Sequence, residues 1–127
     1  MKIAVLIARI LLGVIFVFFG LNGFFNFLHA PIPPGGVGQF MTLLGPTIYM
    51  HFVFLVQIVG GVLLLSGQFI PLALVLLGPV IINILLFHIT LQPAGLPPGL
   101  IATVLWFIIF FGVRKYFAGI FVQKAEI

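Results

Sequence analysis

ILLGVIFVFFG at residues 10–20 and TVLWFIIFFGV at residues 103–113 bound the stretch that decides the fold: between Arg9 and Arg114 the chain contains no Asp, Glu, Lys or Arg. A water-soluble domain of this size cannot cover its surface without charges, so the stretch assigns the chain to a lipid bilayer. The composition agrees. Hydrophobic residues make up 64% and charged residues 5%, whereas a soluble domain is about 25% charged; the mean hydropathy is +1.47. A bilayer core about 30 Å thick asks for roughly 20 apolar residues per helix. The 127 residues therefore hold four spans and short connections, a single transmembrane domain over 1–127.

Proline and glycine mark the breaks. The first span is read at about 3–27. Its apolar run exceeds the 7–15 residues of a secretory h-region, and Leu28-His29-Ala30 precedes Pro31, a poor cleavage context, so it reads as a retained helix. Pro31, Pro33, Pro34, Gly35 and Gly36 cannot continue it, because proline removes a donor and fixes φ. The apolar Val37–Leu44 stretch after them is too short to span and suits an interfacial or re-entrant turn of helix. The second span runs at about 49–65, and Ser66-Gly67-Gln68 ends it. Pro71 suits the first turn of the third span, at about 72–91. After the Gln92–Gly99 break the fourth runs at about 100–117, ending on the interface anchors Arg114, Lys115 and Tyr116.

All five basic residues, Lys2, Arg9, Arg114, Lys115 and Lys124, lie near the two termini. Four spans put both termini on one side, and the positive-inside rule makes it the cytoplasmic side. The expectation is an all-α, multi-pass four-helix bundle of the bacterial inner membrane with both termini cytoplasmic. The net charge of +4 is no nucleic-acid signal, since no basic stripe interleaves with exposed aromatics. The chain has no cysteine, which excludes disulfides, thiolate metal sites and thiol exchange.

Lipid tails are as apolar as leucine, so close approach at small residues must hold such helices together. Gly13, Phe16, Gly20 and Gly23 recur at spacings of three and four and share one face, with Arg9 one turn earlier. Gly60 and Gly61 offer the second span a similar point, and Gly78-Pro79 predicts a kink in the third. Arg9 has two readings: snorkelling to lipid phosphates, or facing inward toward an anionic headgroup or substrate.

An ionisable or strongly polar group at membrane depth carries a functional hypothesis. Asn22 and Asn26, His51 and Gln57, and Asn83, His88 and Gln92 all fall in the outer half of the bilayer or near its centre. The inner half is almost purely apolar apart from Arg9. The set has donors and acceptors but no carboxylate, so it lacks an acid–base pair for hydrolysis. It also lacks a Ser-His-Asp or Cys-His nucleophile. No histidine pair has the i, i+4 spacing of a helical zinc site, so no metal is assigned. A single imidazole can ligate haem or chlorophyll, which keeps His88 or His51 open to that role. A flat, neutral, carbonyl-bearing ligand such as a quinone fits better. It needs one or two hydrogen bonds and apolar walls, and histidine can couple proton to electron transfer. For each residue alone, helix capping or helix bridging competes with that reading.

The first-span pattern Arg9-Ile10-Leu11-Leu12-Gly13 through Phe16, Gly20 and Asn22 resembles the DoxX family of small four-helix membrane proteins. So does Gly78-Pro79-Val80-Ile81-Ile82-Asn83, followed by Phe87-His88 and Gly95-Leu96-Pro97. The likeness covers nearly the whole chain and is strongest to the DoxX-like bacterial branch. It implies the four-span layout and a link to membrane redox systems, the family being named after the small subunit of a thiosulfate:quinone oxidoreductase. One departure stands out: many members carry a lysine where this chain has Gly23, so an activity that uses that lysine is not implied here.

The leading expectation is an accessory or quinone-contacting subunit of a membrane oxidoreductase system. In it His88 and Asn83 hydrogen-bond the headgroup, and Gln57, His51 and Asn22 complete the pocket. The alternative is a non-catalytic structural subunit of a larger respiratory or photosynthetic complex, or a homo-oligomer, with the sixteen phenylalanines packing against lipids, pigments or other helices. A small transporter ranks third, because ion coupling is hard to build without an intramembrane acid. Internal duplication is hinted at by Asn22 with Ile32-Pro33-Pro34-Gly35 and Asn83 with Leu96-Pro97-Pro98-Gly99.

Overall fold

A computed structural model describes residues 2–127. Five α-helices follow one another: α1 Lys2–Phe25, α2 Gly36–Leu44, α3 Ile48–Ser66, α4 Ile70–Leu91 and α5 Leu96–Val113. A 3-10 turn, Pro93–Gly95, precedes α5, and a 3-10 segment, Arg114–Phe121, follows it. Four segments are long and apolar enough to cross a membrane: Lys2–Phe25, Ile48–Ser66, Ile70–Leu91 and Pro93–Phe121. The apolar Val37–Leu44 stretch lies within the separate nine-residue helix α2.

The four long helices close into a ring in which α1 packs on α3, α3 on α4, α4 on α5, and α5 back on α1. The α1–α3 contact is the most extensive, and glycine is the reason. A Cβ at Gly61 would stand 2.8 Å from the Gly13 carbonyl oxygen and 3.0 Å from the Val17 nitrogen. One at Gly20 would stand 3.0 Å from the Phe54 carbonyl oxygen. The two backbones touch, which only small residues permit. Gly13, Phe16 and Gly20 are buried in this seam, as their spacing implies. Gly60 is the equivalent approach to α4, where Leu77 packs on it.

On the α4–α5 side, the Trp106 indole of α5 donates to the Leu74 carbonyl at 3.0 Å. The ring lies beside Gly78, so it ties the two helices together at the turn before Pro79. The helix α4 continues through Pro79 to Leu91.

The helical hairpin between α3 and α4 is tight because Gly67 takes φ 72° and returns its N–H to the Leu64 carbonyl. Arg9 reaches the same carbonyl from α1, its Nε donating at 2.9 Å. Its guanidinium therefore caps the end of α3, a third role beside the snorkelling and inward-facing readings.

The five largest fully buried side chains, Leu12, Leu64, Leu74, Leu77 and Ile109, all lie toward the end of the bundle where the termini meet. Nearer the opposite end the buried positions mix small residues, Gly20, Gly38, Gly99 and Ala102, with Val37, Gln57, Val80 and Ile81. Large apolar residues such as Phe18, Phe19, Phe52, Ile82, Leu86 and Ile101 are exposed around the outside. They present the lipid-facing girdle of a multi-pass membrane protein.

Candidate functional site

The end opposite the termini carries the polar side chains. His88 sits in the last turn of α4, half-buried. Its Nδ1 lies 2.8 Å from the Ile84 carbonyl oxygen. A carbonyl only accepts, so in the neutral ring Nδ1 carries the proton and Nε2 keeps its lone pair. The helix ends one turn later, where Gln92 leaves helical geometry at φ −152° and returns its N–H to the His88 carbonyl.

The Pro93–Gly95 turn then folds back over the imidazole. A Cβ at Gly95 would stand 2.6 Å from His88 Cδ2 and 3.0 Å from both His88 Nε2 and Gln92 Oε1. The imidazole and the amide therefore converge on one point, and only glycine leaves it free. The Phe87 ring meets the His88 ring edge-on at 5.2 Å. Phe40 of α2 meets Phe87 at 4.9 Å, so α2 lies against this same end of α4. The outcome is a proton acceptor and a side-chain amide beside aromatic walls.

A second polar group lies along the α1–α3 seam. The His51 ring stacks on Phe24, with centroids 5.3 Å apart and planes at 11°. Gln57 is the one buried polar residue among those described, 8% exposed, and its Cβ faces Gly20. Phe54 fills the space between them and lies against Gly23. A lysine in place of Gly23, expected from the family pattern, would have to displace that ring.

The other two expected residues behave differently. Asn22 caps the chain as it leaves α1: its Oδ1 accepts the Leu28 N–H at 3.0 Å. Asn26, one turn on, takes φ 51° and so ends the helix. Asn83 is exposed on α4, and its amide donates back to the Pro79 carbonyl at 2.9 Å. The structure thus brings His88 together with Gln92, and His51 and Gln57 onto one seam. No side-chain hydrogen bond joins the two groups among the described residues.

Two open clefts occur elsewhere. One lies between Ile32-Pro33 and α2, and the other at the termini between Lys2, Arg9 and Gly112. Among the described residues no three His, Cys, Asp or Glu side chains gather to hold a metal. The two Pro-Pro-Gly stretches take different structures, the first preceding α2 and the second forming the first turn of α5. Sequence reasoning missed Gly95 and Phe40. The signal for Gly95 was its place three residues after Gln92, in a break too short to leave the helix end; for Phe40 there was none.

Comparison with known proteins gives one family. The model described as DoxX matches residues 4–89, from α1 through His88 and most of α4. No curated protein and no solved structure matches the chain.

Proposed function

The chain belongs to the DoxX family, and from that premise we propose that it contacts a quinone as an accessory subunit of an oxidoreductase system in the bacterial inner membrane, with both termini cytoplasmic. The observation that carries the reading is the fixed imidazole of His88. Its Nδ1 is committed to the Ile84 carbonyl, so Nε2 is left as an acceptor on the edge of the ring beside Gly95. A quinol hydroxyl donates a hydrogen bond to such an acceptor, and an imidazole can take up the proton when a partner oxidoreductase removes the electrons. The Gln92 amide NH2 can donate to a quinone carbonyl beside it. Phe87 and Phe40 supply flat apolar walls.

His88 and Gln92 form the centre of the site. His51 and Gln57 on the α1–α3 seam, and Asn83 and Asn22 beyond it, are the outer members of the expected pocket. The two groups meet around one headgroup only if the helices part at this end.

The test is binding of a short-tailed benzoquinol, held reduced, to the purified protein in neutral detergent, with empty micelles as the partition control. His88→Ala is expected to abolish saturable binding while the helical circular dichroism stays intact. Unchanged affinity in that variant removes the assignment. A native chain that carries a visible-absorbing tetrapyrrole on His88 would replace the quinone with a haem or chlorophyll.

One observation favours a structural role instead. Asn83 presents an amide to the lipid-facing surface of α4, and intramembrane amides join helices. Loss of a fixed partner stoichiometry in Asn83→Leu, with quinone binding retained, would identify that role.

A further inference from the structure

At the end of the bundle where the termini meet, α1 and α5 border a cleft of about 190 Å³ lined by Lys2, Val5, Leu6, Arg9 and Gly112. That is roughly six times the volume of one liquid water, room for a phosphate group and its first ester atoms. The close crossing at its floor depends on Gly112, where a Cβ would stand 2.5 Å from Val5 Cγ2. Lys2 and Arg9 are seven residues apart, two helical turns, and so project from one face of α1.

The arginine is not free to swing out to water. Its Nε is held by the Leu64 carbonyl, and its Nη2 lies 3.0 Å from where a Cβ would stand at Gly67. That bond fixes the guanidinium plane beside Gly67, with both Nη atoms close to that turn; a planar guanidinium has the geometry that suits two oxygens of one oxyanion. The counter-charge has to come from outside the chain, which has five basic residues and one acid. That acid, Glu126, is exposed in the C-terminal tail.

We propose that this cleft is a binding site for a phosphate monoanion or diester, held by Arg9 and Lys2. Two sources have that chemistry: the headgroup of an acidic phospholipid, and free phosphate. Exposed Leu6 and Ile10 beside the cleft would lie along the acyl chains of the first and have no part in the second.

Native mass spectrometry of the delipidated full chain tests the site with three probes: phosphatidylglycerol, phosphatidylcholine and inorganic phosphate. Phosphatidylglycerol is expected to remain bound after activation that strips phosphatidylcholine. Lys2→Gln and Arg9→Gln are each expected to weaken its retention about fivefold. Arg114→Gln and Lys115→Gln, outside the cleft, are expected to leave it unchanged. If inorganic phosphate displaces the lipid, the site takes the free anion; if it does not, the site reads a lipid headgroup. Equal retention of the two lipids overturns the proposal, and so does equal weakening by the Arg114 and Lys115 changes. Arg9→Gln also removes the cap on α3. Exposed Lys2 therefore provides the decisive variant should the Arg9 change unfold the protein, and an unaffected Lys2→Gln overturns the proposal by itself.

Discussion

Gly95→Ala adds one methyl group and no polar atom, yet it addresses the site chemistry directly. The new Cβ would stand 2.6 Å from His88 Cδ2, whereas carbons rest about 3.5–4.0 Å apart. The obstacle is the end of a side chain and not backbone, so the ring gives way, by about 1 Å. Its Nδ1 then moves off the Ile84 carbonyl, from 2.8 Å toward or past the roughly 3.2 Å limit of a good bond. A hydrogen bond of this kind is worth about 1 kcal/mol net, a factor of about five in an equilibrium constant. The added methyl also occupies the point on which Nε2 and Gln92 converge, so the loss of affinity exceeds that factor. The expected result is quinol affinity at least fivefold to tenfold lower. Gly95 has an ordinary φ of −89° and its Cβ meets only side-chain atoms. Global stability therefore falls by about 1 kcal/mol, the worth of the displaced His88–Ile84 bond. Isothermal titration with the short-tailed quinol, held reduced, measures the first quantity, and unfolding in a denaturing-detergent titration the second. Unchanged affinity in Gly95→Ala would refute the reasoning that Gly95 fixes the imidazole. A large loss of stability would show that the turn, not the ring, is what this glycine serves.

The same substitution at Gly61 should reverse the readout. Its Cβ would meet the Gly13 carbonyl and Val17 backbone at 2.8–3.0 Å, so α1 and α3 must separate at a cost of about 1–3 kcal/mol, read as a lower unfolding midpoint. Gly78→Ala should be neutral or stabilising by up to about 1 kcal/mol, because its Cβ meets Trp106 at an ordinary 3.7 Å and alanine is the better helix former; an equal loss in both variants would contradict the seam. Trp106→Phe removes the donor to Leu74 but can keep the stack on Phe110, whose plane lies 7° from the indole. It should cost about 0.6 kcal/mol, the average for an intramembrane side-chain hydrogen bond, in the same titration.

The spans were legible because one physical fact sets them. A helix cannot cross lipid with charges, and proline and glycine end it, so the uncharged stretch and its breaks mark four helices. Their ends were less legible, since they depend on local capping. The helix α1 stops at Phe25, where Asn22 bonds forward to Leu28 and Asn26 adopts positive φ. The last segment tightens into 3-10 geometry from Arg114, whose Nη1 caps the Phe111 carbonyl. Within the site, His88 and Gln92 were legible as a polar pair one turn apart. Gln57 was also readable, because it stands three and four residues before Gly60 and Gly61 and so shares their inward face. Asn83 was not. Every side of α4 is apolar, so the sequence carries no periodic signal for its rotation, and the exposed position of Asn83 follows only from packing against α3 and α5.

The distribution of volume along the bundle gives these separate features one physical logic. Large side chains interlock toward the termini, and the cost of deforming such packing is what keeps a core rigid. At the other end the buried positions include Gly20, Gly99 and Ala102, where helices approach closely. On the proposed function, a flat ligand arriving from the lipid would bind beside His88 while the interlocked half holds the bundle closed. The cations sit at the rigid end, where an anion bound at Arg9 and Lys2 would brace α1 against α3 and α5 without restricting the outer half. Core, ligand and anion phenotypes should therefore separate along the membrane normal. Leu74→Ala should lower the unfolding midpoint, by about 2–5 kcal/mol, and spare quinone affinity once the protein is folded. His88→Ala should do the reverse. A Leu74 variant that stays folded but loses quinone binding would show that the two halves are coupled, and that the outer site depends on the inner packing for its shape.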